Sequence, residues 1–264
     1  MTQTDASLIR GSLFLGGLLF FLLLELVAPY RESSVSKPKR WIHNLALALF
    51  NTLVLQLVFA GTVVTTAAYV TTHQLGVLNL VAFPAWVKLL ITIAFMDFVL
   101  YIWHLLNHVV PFFWRFHRVH HSDLNMDVST ATRFHIGELA ISAAIKISLV
   151  FFLGAGMAGV VIFESALVLC AQFEHSSLKV PEWFEKIFWV LFVPPSMHRI
   201  HHSVVIRERN TNYGTILSTW DRWLGTLLRG VDQDRIRIGV GAYQKPDQLT
   251  FPHLLAMPST RPVK

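Results

Sequence analysis

Two short stretches of the chain are nearly identical, FHRVHHSD at 116–123 and MHRIHHSV at 197–204. Each places three histidines at spacings of three and four residues, and on a helix such positions share one face. His104 and His108 repeat the four-residue spacing. Neutral imidazole is the commonest metal ligand among side chains and suits zinc, copper, iron and nickel. These patterns therefore predict a metal site.

The number of histidines indicates more than one ion. Of the thirteen histidines in the chain, ten fall in clusters, whereas a structural zinc site uses about four ligands. We therefore predict two ions, each with about four or five nitrogen ligands. The predicted ligands are His104, His108, His117, His120, His121, His135, His175, His198, His201 and His202.

The composition places these histidines in a membrane protein. Hydrophobic residues make up 53% of the chain and charged residues only 14%, against about 25% charged in a typical soluble domain. The single cysteine, Cys170, excludes a disulfide framework and a thiolate-rich zinc site. The net charge of +6 is typical of cytoplasmic loops that face anionic lipid, so we expect no nucleic-acid partner.

Several apolar runs are long enough to cross a bilayer, for which a helix needs roughly 20 residues. We predict an uncleaved anchor at 11–30, a second span within the charge-free stretch 44–70, and a third at 87–108. The apolar stretch between Glu138 and Glu174 is broken by LGAGMAG at 153–159, which predicts a helical hairpin. The expected fold is all-α, with four to five transmembrane or half-spanning helices and a histidine-rich helical cap.

The orientation follows from the positive charges in the short loops. The 71–86 loop has neither lysine nor arginine, whereas the 31–43 loop contains Arg31, Lys37, Lys39 and Arg40. The first loop is therefore expected in the cytoplasm and the amino terminus outside. Counting the crossings places every histidine cluster on the cytoplasmic side.

Two charges inside the predicted hairpin are placed symmetrically. Lys146 and Glu164 are equally far from the glycine turn, and each is eleven residues from a histidine, His135 and His175 respectively. Because an unpaired charge inside a membrane is costly, we predict that Lys146 and Glu164 pair with each other.

Three boxes make the chain resemble the fatty acid hydroxylase/sterol desaturase superfamily of integral-membrane di-iron oxidases. HLLNH, HRVHH and HRIHH are similar to the family's H-x₃-H, H-x₂-H-H and [HQ]-x₂-H-H boxes. The resemblance covers 90–228 and includes NYG at 212–214, WDRWLGT at 220–226 and the residues Asp97, Tyr101, Arg133, His135, Glu138 and His175. It departs from the family at Leu105, where arginine is frequent, and at Ile136-Gly137, where proline is common.

The resemblance implies an O₂-dependent hydroxylation or desaturation of a lipid C–H bond at two iron ions, with no catalytic side chain beyond the metal centre. We expect the resemblance to mark a catalytic domain at 90–228, preceded by anchor helices at 1–89. The mixed polarity and the prolines of 229–264 predict a loosely packed cytoplasmic tail. Ligating histidines usually donate their second N–H to another group. The residues expected around the ligands in this way are Asp97, Tyr101, Glu138, Asn212 and Asp221.

The chain has no nucleotide-binding glycine motif and no C-x-x-C-H haem motif. If the protein reduces O₂, the electrons must therefore come from a separate protein, and the resemblance implies one of the ferredoxin or cytochrome b5 type with its reductase. Three other classes compete with the oxidase. A metal transporter or sensor would spread its histidines along several spans, and a b-type haem carrier would pair them across a bundle. A zinc-dependent lipid hydrolase would need a general base, for which Glu138 is the convenient candidate.

Overall fold

All regular elements are helical in the part of the chain that a computed structural model describes, residues 1–58 and 63–261. Five helical regions are long and apolar enough to cross a membrane: Gln3–Val27, Lys37–Asn79, Ala85–Val109, Ile136–Leu153 and Met157–His175. The predicted all-α membrane architecture is therefore confirmed.

Helix α1 (Gln3–Val27) begins before the predicted span 11–30 because a capping box starts it. The Asp5 backbone N–H donates to Thr2 Oγ1 at 3.1 Å, and the Thr2 backbone N–H donates to Asp5 Oδ2 at 2.8 Å. These bonds satisfy donors that a helix N-terminus leaves free. The extra turns bring Arg10 into the helix, where its Nη2 lies 2.9 Å from Glu164 Oε2.

The second region consists of α2 (Lys37–Val58) and α3 (Val63–Thr72). Residues 59–62 of the predicted span 44–70 lie outside the described residues. Helix α2 begins before that charge-free stretch and includes Arg40, which is buried. Its guanidinium pairs with Asp123 Oδ1 at 2.6 Å and with Asp127 Oδ2 at 2.8 Å. These partners allow a charge inside the protein, because a buried ion needs compensation.

Helix α4 (Ala85–Val109) agrees with the predicted third span at 87–108. Val110 is extended, and α5 (Pro111–His121) begins at the next residue. Proline disfavours helical geometry in the residue before it but is well suited to a first helical position. The break at Val110 separates the two helices and brings α5 back to the end of α4, where the His104 and His117 rings lie 5.0 Å apart.

The predicted hairpin is confirmed as α6 (Ile136–Leu153) and α7 (Met157–His175). Its turn begins at Gly154, which has a left-handed φ of 71°. Gly76, in the loop before α4, packs so closely that a Cβ on it would lie 2.1 Å from the Gly154 nitrogen. The turn therefore contacts the α3–α4 loop, and the open end of the hairpin carries His135 and His175.

Among the described residues, five short α-helices follow α7, and they cover the same end of the bundle as α5. They are α8 (Glu182–Phe188), α9 (Pro195–His201), α10 (Ile206–Arg209), α11 (Thr219–Leu224) and α12 (Phe251–Ala256). Helix α9 carries most of the second histidine triplet and begins at a proline, a favourable first helical position.

The C-terminal region is packed against the rest of the protein, so the prediction of a loosely packed tail is wrong for 229–261. Leu254 and Met257 are buried in a cluster with Leu47 and Val119. The guanidinium of Arg118, itself fully buried, donates to the Arg261 carbonyl at 2.8 Å and to the Met257 and Thr260 carbonyls. Composition alone did not show these contacts, because each joins the tail to a distant helix.

Candidate metal centre

Nine of the ten predicted ligands come together in two adjoining groups at the open end of the hairpin. In each group the candidate ligand atoms lie within 4.8 Å of one another. One group, site A, consists of His104, His108, His117, His121 and His201; the other, site B, consists of His120, His175, His198 and His202.

Each triplet contributes to both sites. In α5 the histidines four residues apart, His117 and His121, belong to site A, and His120 belongs to site B. The second triplet has the opposite arrangement, with His198 and His202 in site B and His201 in site A. The repeated sequence therefore builds a pair of sites in which each triplet supplies two ligands to one site and one ligand to the other.

The nitrogen atoms have the spacing of ligands around a shared ion. In site B, His175 Nε2 lies 3.0 Å from His120 Nε2 and 2.9 Å from His198 Nε2, and His198 Nε2 lies 3.1 Å from His202 Nε2. In site A, His117 Nε2 and His121 Nε2 are 3.1 Å apart. Imidazole nitrogens bind Zn²⁺ at about 2.0–2.1 Å, which puts neighbouring ligands of one ion about 3 Å apart.

In several of these histidines, the ring nitrogen that points away from the site donates a hydrogen bond to a backbone carbonyl. His104 Nδ1 donates to the Tyr213 carbonyl at 2.8 Å, and His201 Nδ1 donates to the Thr211 carbonyl at 2.7 Å. His175 Nδ1 donates to the Ala171 carbonyl at 2.6 Å. Because Nδ1 donates its N–H to a carbonyl, Nε2 of the same neutral ring presents its lone pair to the site, as in known metal-ligating histidines.

The free nitrogens fit a cation. Within the described residues, the buried Nε2 atoms of His104, His108 and His201 have no hydrogen-bond partner, and an unsatisfied buried polar atom is costly. Burial, together with the neighbouring rings, lowers the pKa of His198 and His202 well below the ordinary value. Both imidazoles are therefore neutral at neutral pH, the form that binds metal ions.

Asn212 and Asp221 act on the backbone that orients the ligands. Asn212 adopts a left-handed φ of 57° between Thr211 and Tyr213, the two residues whose carbonyls hold histidines. Its Oδ1 accepts from the Leu228 N–H at 2.8 Å. Asp221 accepts from the Tyr213 N–H at 2.8 Å and from the Gly214 N–H at 2.7 Å. The sequence predicted direct contacts from Asn212 and Asp221 to the histidine rings. In the structure both side chains instead bind the backbone segment whose carbonyls contact the rings.

Asp97 and Tyr101 make their hydrogen bonds away from the histidines. Asp97 Oδ2 accepts from Trp220 Nε1 at 2.7 Å and from the Leu217 N–H at 3.2 Å. The Tyr101 hydroxyl bonds to Thr226 Oγ1 at 2.7 Å. These contacts fasten α4 to the segment that contains α11, so the predicted contact between Asp97 and a ligating histidine does not form among the described residues.

His135 lies outside both sites. It is the N-cap of α6, where its Nδ1 accepts from the Gly137 N–H at 3.0 Å and its Nε2 donates to the Leu255 carbonyl at 3.2 Å. Both ring nitrogens therefore have protein partners, and the structure does not support the prediction of a tenth ligand. Glu138, three residues later, does reach the centre: its Oε1 lies 2.9 Å from His117 Nδ1.

Glu174 is a residue at the site that the sequence analysis treated only as a boundary. Its side chain is 1% exposed, and its Oε2 lies 3.7 Å from His198 Nδ1. Its Oε1 lies 3.8 Å from His175 Nδ1. The sequence did contain a signal for Glu174, because it directly precedes the predicted ligand His175.

A cavity of about 340 Å³ connects both sites to the helices of the membrane region. His104 and His117 of site A line it, as do His120, His175 and His198 of site B. Further along, its wall is mostly apolar and is formed by α1, α2, α4, α6 and α7, with side chains such as Leu55, Leu100, Leu139, Leu167 and Val168. A largely apolar cavity of this size with a few polar groups is typical of a small-molecule site.

Comparison with known proteins agrees with this geometry. A family model described as fatty acid hydroxylase matches residues 89–226. The chain is 30% identical over 144 residues to the ornithine lipid hydroxylase OlsE of Rhizobium tropici, covering 54% of this chain and 43% of that protein. It is 27% identical over 154 residues to cholesterol 25-hydroxylase of Rattus norvegicus, covering 57% and 50% of the two chains.

A third relative is alkylglycerol monooxygenase of Caenorhabditis elegans, 28% identical over 151 residues, which covers 50% of this chain and 25% of the relative. The chain thus spans a half or less of the length of these relatives. No solved structure matches the chain. The matched region, 89–226, contains all nine clustered histidines and more than half of the chain, and the protein therefore belongs to the fatty acid hydroxylase family.

Proposed function

We propose that this protein is a membrane-bound di-iron oxygenase that hydroxylates or desaturates a C–H bond of a lipid. The observation that carries the proposal is the pair of adjoining histidine sites at one end of an apolar cavity between membrane helices. The relatives named for hydroxylation of an ornithine lipid and of cholesterol, and for monooxygenation of alkylglycerols, support a lipid substrate.

The two sites would hold one iron each, with five histidines at site A and four at site B. Two irons, when bound, supply the activation of O₂ and the oxidation of a C–H bond. Imidazole ligands also suit zinc, so the choice of iron rests on the family. The catalytic region would be 90–228, preceded by anchor helices in 1–89.

The chain's own residues would position the substrate and exclude water. The apolar wall of the cavity favours an alkyl chain over water. Because histidines of both sites line the end of the cavity, a carbon of that chain would lie next to both sites. Each of three ligand rings is held in one orientation by a hydrogen bond to an oxygen atom. These pairs are His117 with Glu138, His201 with the Thr211 carbonyl, and His104 with the Tyr213 carbonyl. Such preorganisation keeps a reacting group in place without reorganisation during the reaction.

The electrons would come from a separate electron-transfer protein of the ferredoxin or cytochrome b5 type. The distribution of lysine and arginine supports a centre on the cytoplasmic side, where such a donor and its reductase would reach it.

Two measurements on the full-length protein test the proposal. Metal analysis after purification should find two irons per chain, and the lipid extract of cells with the intact gene should contain an oxygenated or unsaturated lipid that cells without it lack. For a hydroxylation, growth under ¹⁸O₂ should label the new oxygen atom. Two zinc ions with no O₂-dependent product would instead indicate a hydrolase, and haem absorption would indicate a haem carrier.

A further inference from the structure

A large apolar surface lies on the outside of the short helices α8 and α11. Six side chains form this surface, which we call the apolar ledge, and each is 47% to 71% exposed: Trp183, Ile187, Val190, Leu191, Trp223 and Leu224. The two helices are joined, because the Arg222 guanidinium donates to the Trp189 and Val190 carbonyls at 3.0 and 2.9 Å. An exposed apolar patch flanked by polar residues is typical of an interaction surface.

Helix α8 and the turn after it present three different faces. The inner face carries Phe184 and Phe188, whose rings lie 6.4 and 5.3 Å from that of Phe173 in α7. The apolar face repeats at intervals of four and three residues and consists of Trp183, Ile187 and Val190. Beside it lies a charged face, where Glu182 pairs with Lys186 at 2.8 Å. An apolar face next to a charged face is typical of a helix that lies in the membrane–water interface.

The contacts of α11 place the ledge at the level of the membrane. Asp97 is the middle residue of the 25-residue helix α4, and Trp220 Nε1 donates to its Oδ2 at 2.7 Å. The rings of Trp220 and Trp223 lie 5.5 Å apart. A helix of this length is about 37 Å long, only slightly longer than the hydrocarbon core of roughly 30 Å. Trp223 therefore lies beside the spanning helix and not beyond its end.

Positive charges next to the ledge fit the surface of an anionic bilayer. Arg222 and Arg229 are exposed, and the Arg229 guanidinium lies 4.8 Å from the centre of the Trp189 ring. The charge of Lys186 is already balanced by Glu182. Tryptophan is enriched at membrane–water interfaces, and arginine extends from there to the headgroups. This combination favours lipid over a soluble protein as the partner of the ledge.

We propose that α8 and α11 lie in the leaflet nearest the metal centre, with the apolar ledge among the acyl chains and Arg222 and Arg229 at anionic headgroups. The helices have seven and six residues, against roughly 20 for a span, so they enter the leaflet without crossing the bilayer. The partner of this surface is the membrane itself. The proposal depends neither on the metal nor on the reaction.

The ledge would also steady the metal centre, because each of its helices contacts a segment that positions ligands. Glu185 Oε1 accepts from the Ser196 N–H at 3.3 Å, and Trp189 Nε1 donates to Ser196 Oγ at 3.1 Å. Helix α8 thus contacts α9, the helix of the second histidine triplet. Asp221 of α11 holds the segment whose carbonyls contact two ligands of site A.

Spin labelling of the full-length protein in nanodiscs of phosphatidylcholine and phosphatidylglycerol tests the proposal. In a Cys170→Ala background, which removes the single cysteine, a nitroxide is attached to Ile187→Cys, Trp223→Cys or Lys186→Cys. EPR then measures collisions with O₂, which concentrates in hydrocarbon, and with a water-soluble nickel chelate. The ratio of O₂ to chelate collisions should be several-fold higher at the first two positions. Lys186→Cys is the matched control, one residue from Ile187 but on the charged face.

A second measurement uses the unmodified protein. A phospholipid with a photoactivatable diazirine in its acyl chain should label peptides that contain 183–191 and 223–224. The exposed segment 245–248 should remain unlabelled. This experiment decides the question if a labelled cysteine variant has a lower melting temperature than the wild type.

Chelate access at Ile187→Cys and Trp223→Cys equal to that at Lys186→Cys would overturn the proposal, because the ledge would then face water. Protection from both O₂ and the chelate would also overturn it and would indicate that protein, such as a second copy of the chain, covers the ledge. The absence of lipid label from 183–191 and 223–224 would have the same consequence. The proposed oxygenase function would stand after any of these results, since metal content and lipid product test it separately.

Discussion

His117 Nδ1 lies 2.9 Å from Glu138 Oε1, a contact that joins α5 to the first turn of α6. Both side chains are buried and both line the cavity. The carboxylate holds the ring so that His117 Nε2 faces site A, 3.1 Å from His121 Nε2. One residue of the hairpin thus sets the orientation of a ligand that the hairpin does not carry.

Glu138→Ala should weaken metal binding at site A by about 10–100-fold, the usual effect of losing the partner of a ligating histidine. Glu138→Gln should lose less, because its amide oxygen still accepts a hydrogen bond from Nδ1. Metal affinity is measured by competition with a chelator of known strength. Glu182→Ala, on the exposed surface of α8, is the control, and an affinity of Glu138→Ala equal to the control would refute the contact's role.

His201→Ala and His120→Ala should impair different sites, because His201 belongs to site A and His120 to site B. Each variant should retain about one metal ion per chain instead of two, lose turnover and still insert into the membrane. Metal content, product formation and membrane fractionation check the three points. Full turnover in either variant would contradict the assignment of that histidine as a ligand.

Asp221→Asn should destabilise the segment that holds His104 and His201. The carboxylate accepts from the Tyr213 and Gly214 N–H groups and from the Thr226 hydroxyl, and the amide replaces one of its acceptor oxygens with a donor. An unsatisfied buried donor costs about 1–3 kcal/mol, which unfolding in detergent measures. The exposed Asp247→Asn should change the free energy of unfolding by less than about 0.5 kcal/mol, and an equally small change for Asp221→Asn would disprove this role.

Gly76→Ala should be among the most destabilising single substitutions outside the metal centre. Gly76 has a φ of 89°, and a Cβ there would lie 2.1 Å from the Gly154 nitrogen, which is backbone and cannot move aside. The strain should be on the order of several kcal/mol and appear as a lower melting temperature. Gly16→Ala in α1, where nothing lies within 4 Å of the added carbon, is the matched control, and similar melting temperatures would contradict the close packing.

The sequence by itself was enough to identify the family, the spanning helices, the glycine turn and the histidine clusters. Each depends on spacing within one helix or on the length of an apolar run, which are local properties. The pairing of Lys146 with Glu164 was also predictable, because a hairpin aligns residues that are equally far from its turn.

Only the tertiary structure decided how the histidines are divided. The spacing put all three histidines of a triplet on one helix face, but packing between α5 and α9 gives the middle one to the opposite site. Packing likewise made His135 a helix cap and gave Asp97 to Trp220. It also added Arg10 to the ion pair of the hairpin. Such partners come from segments far apart in the chain, and helix periodicity carries no information about which distant face will lie opposite.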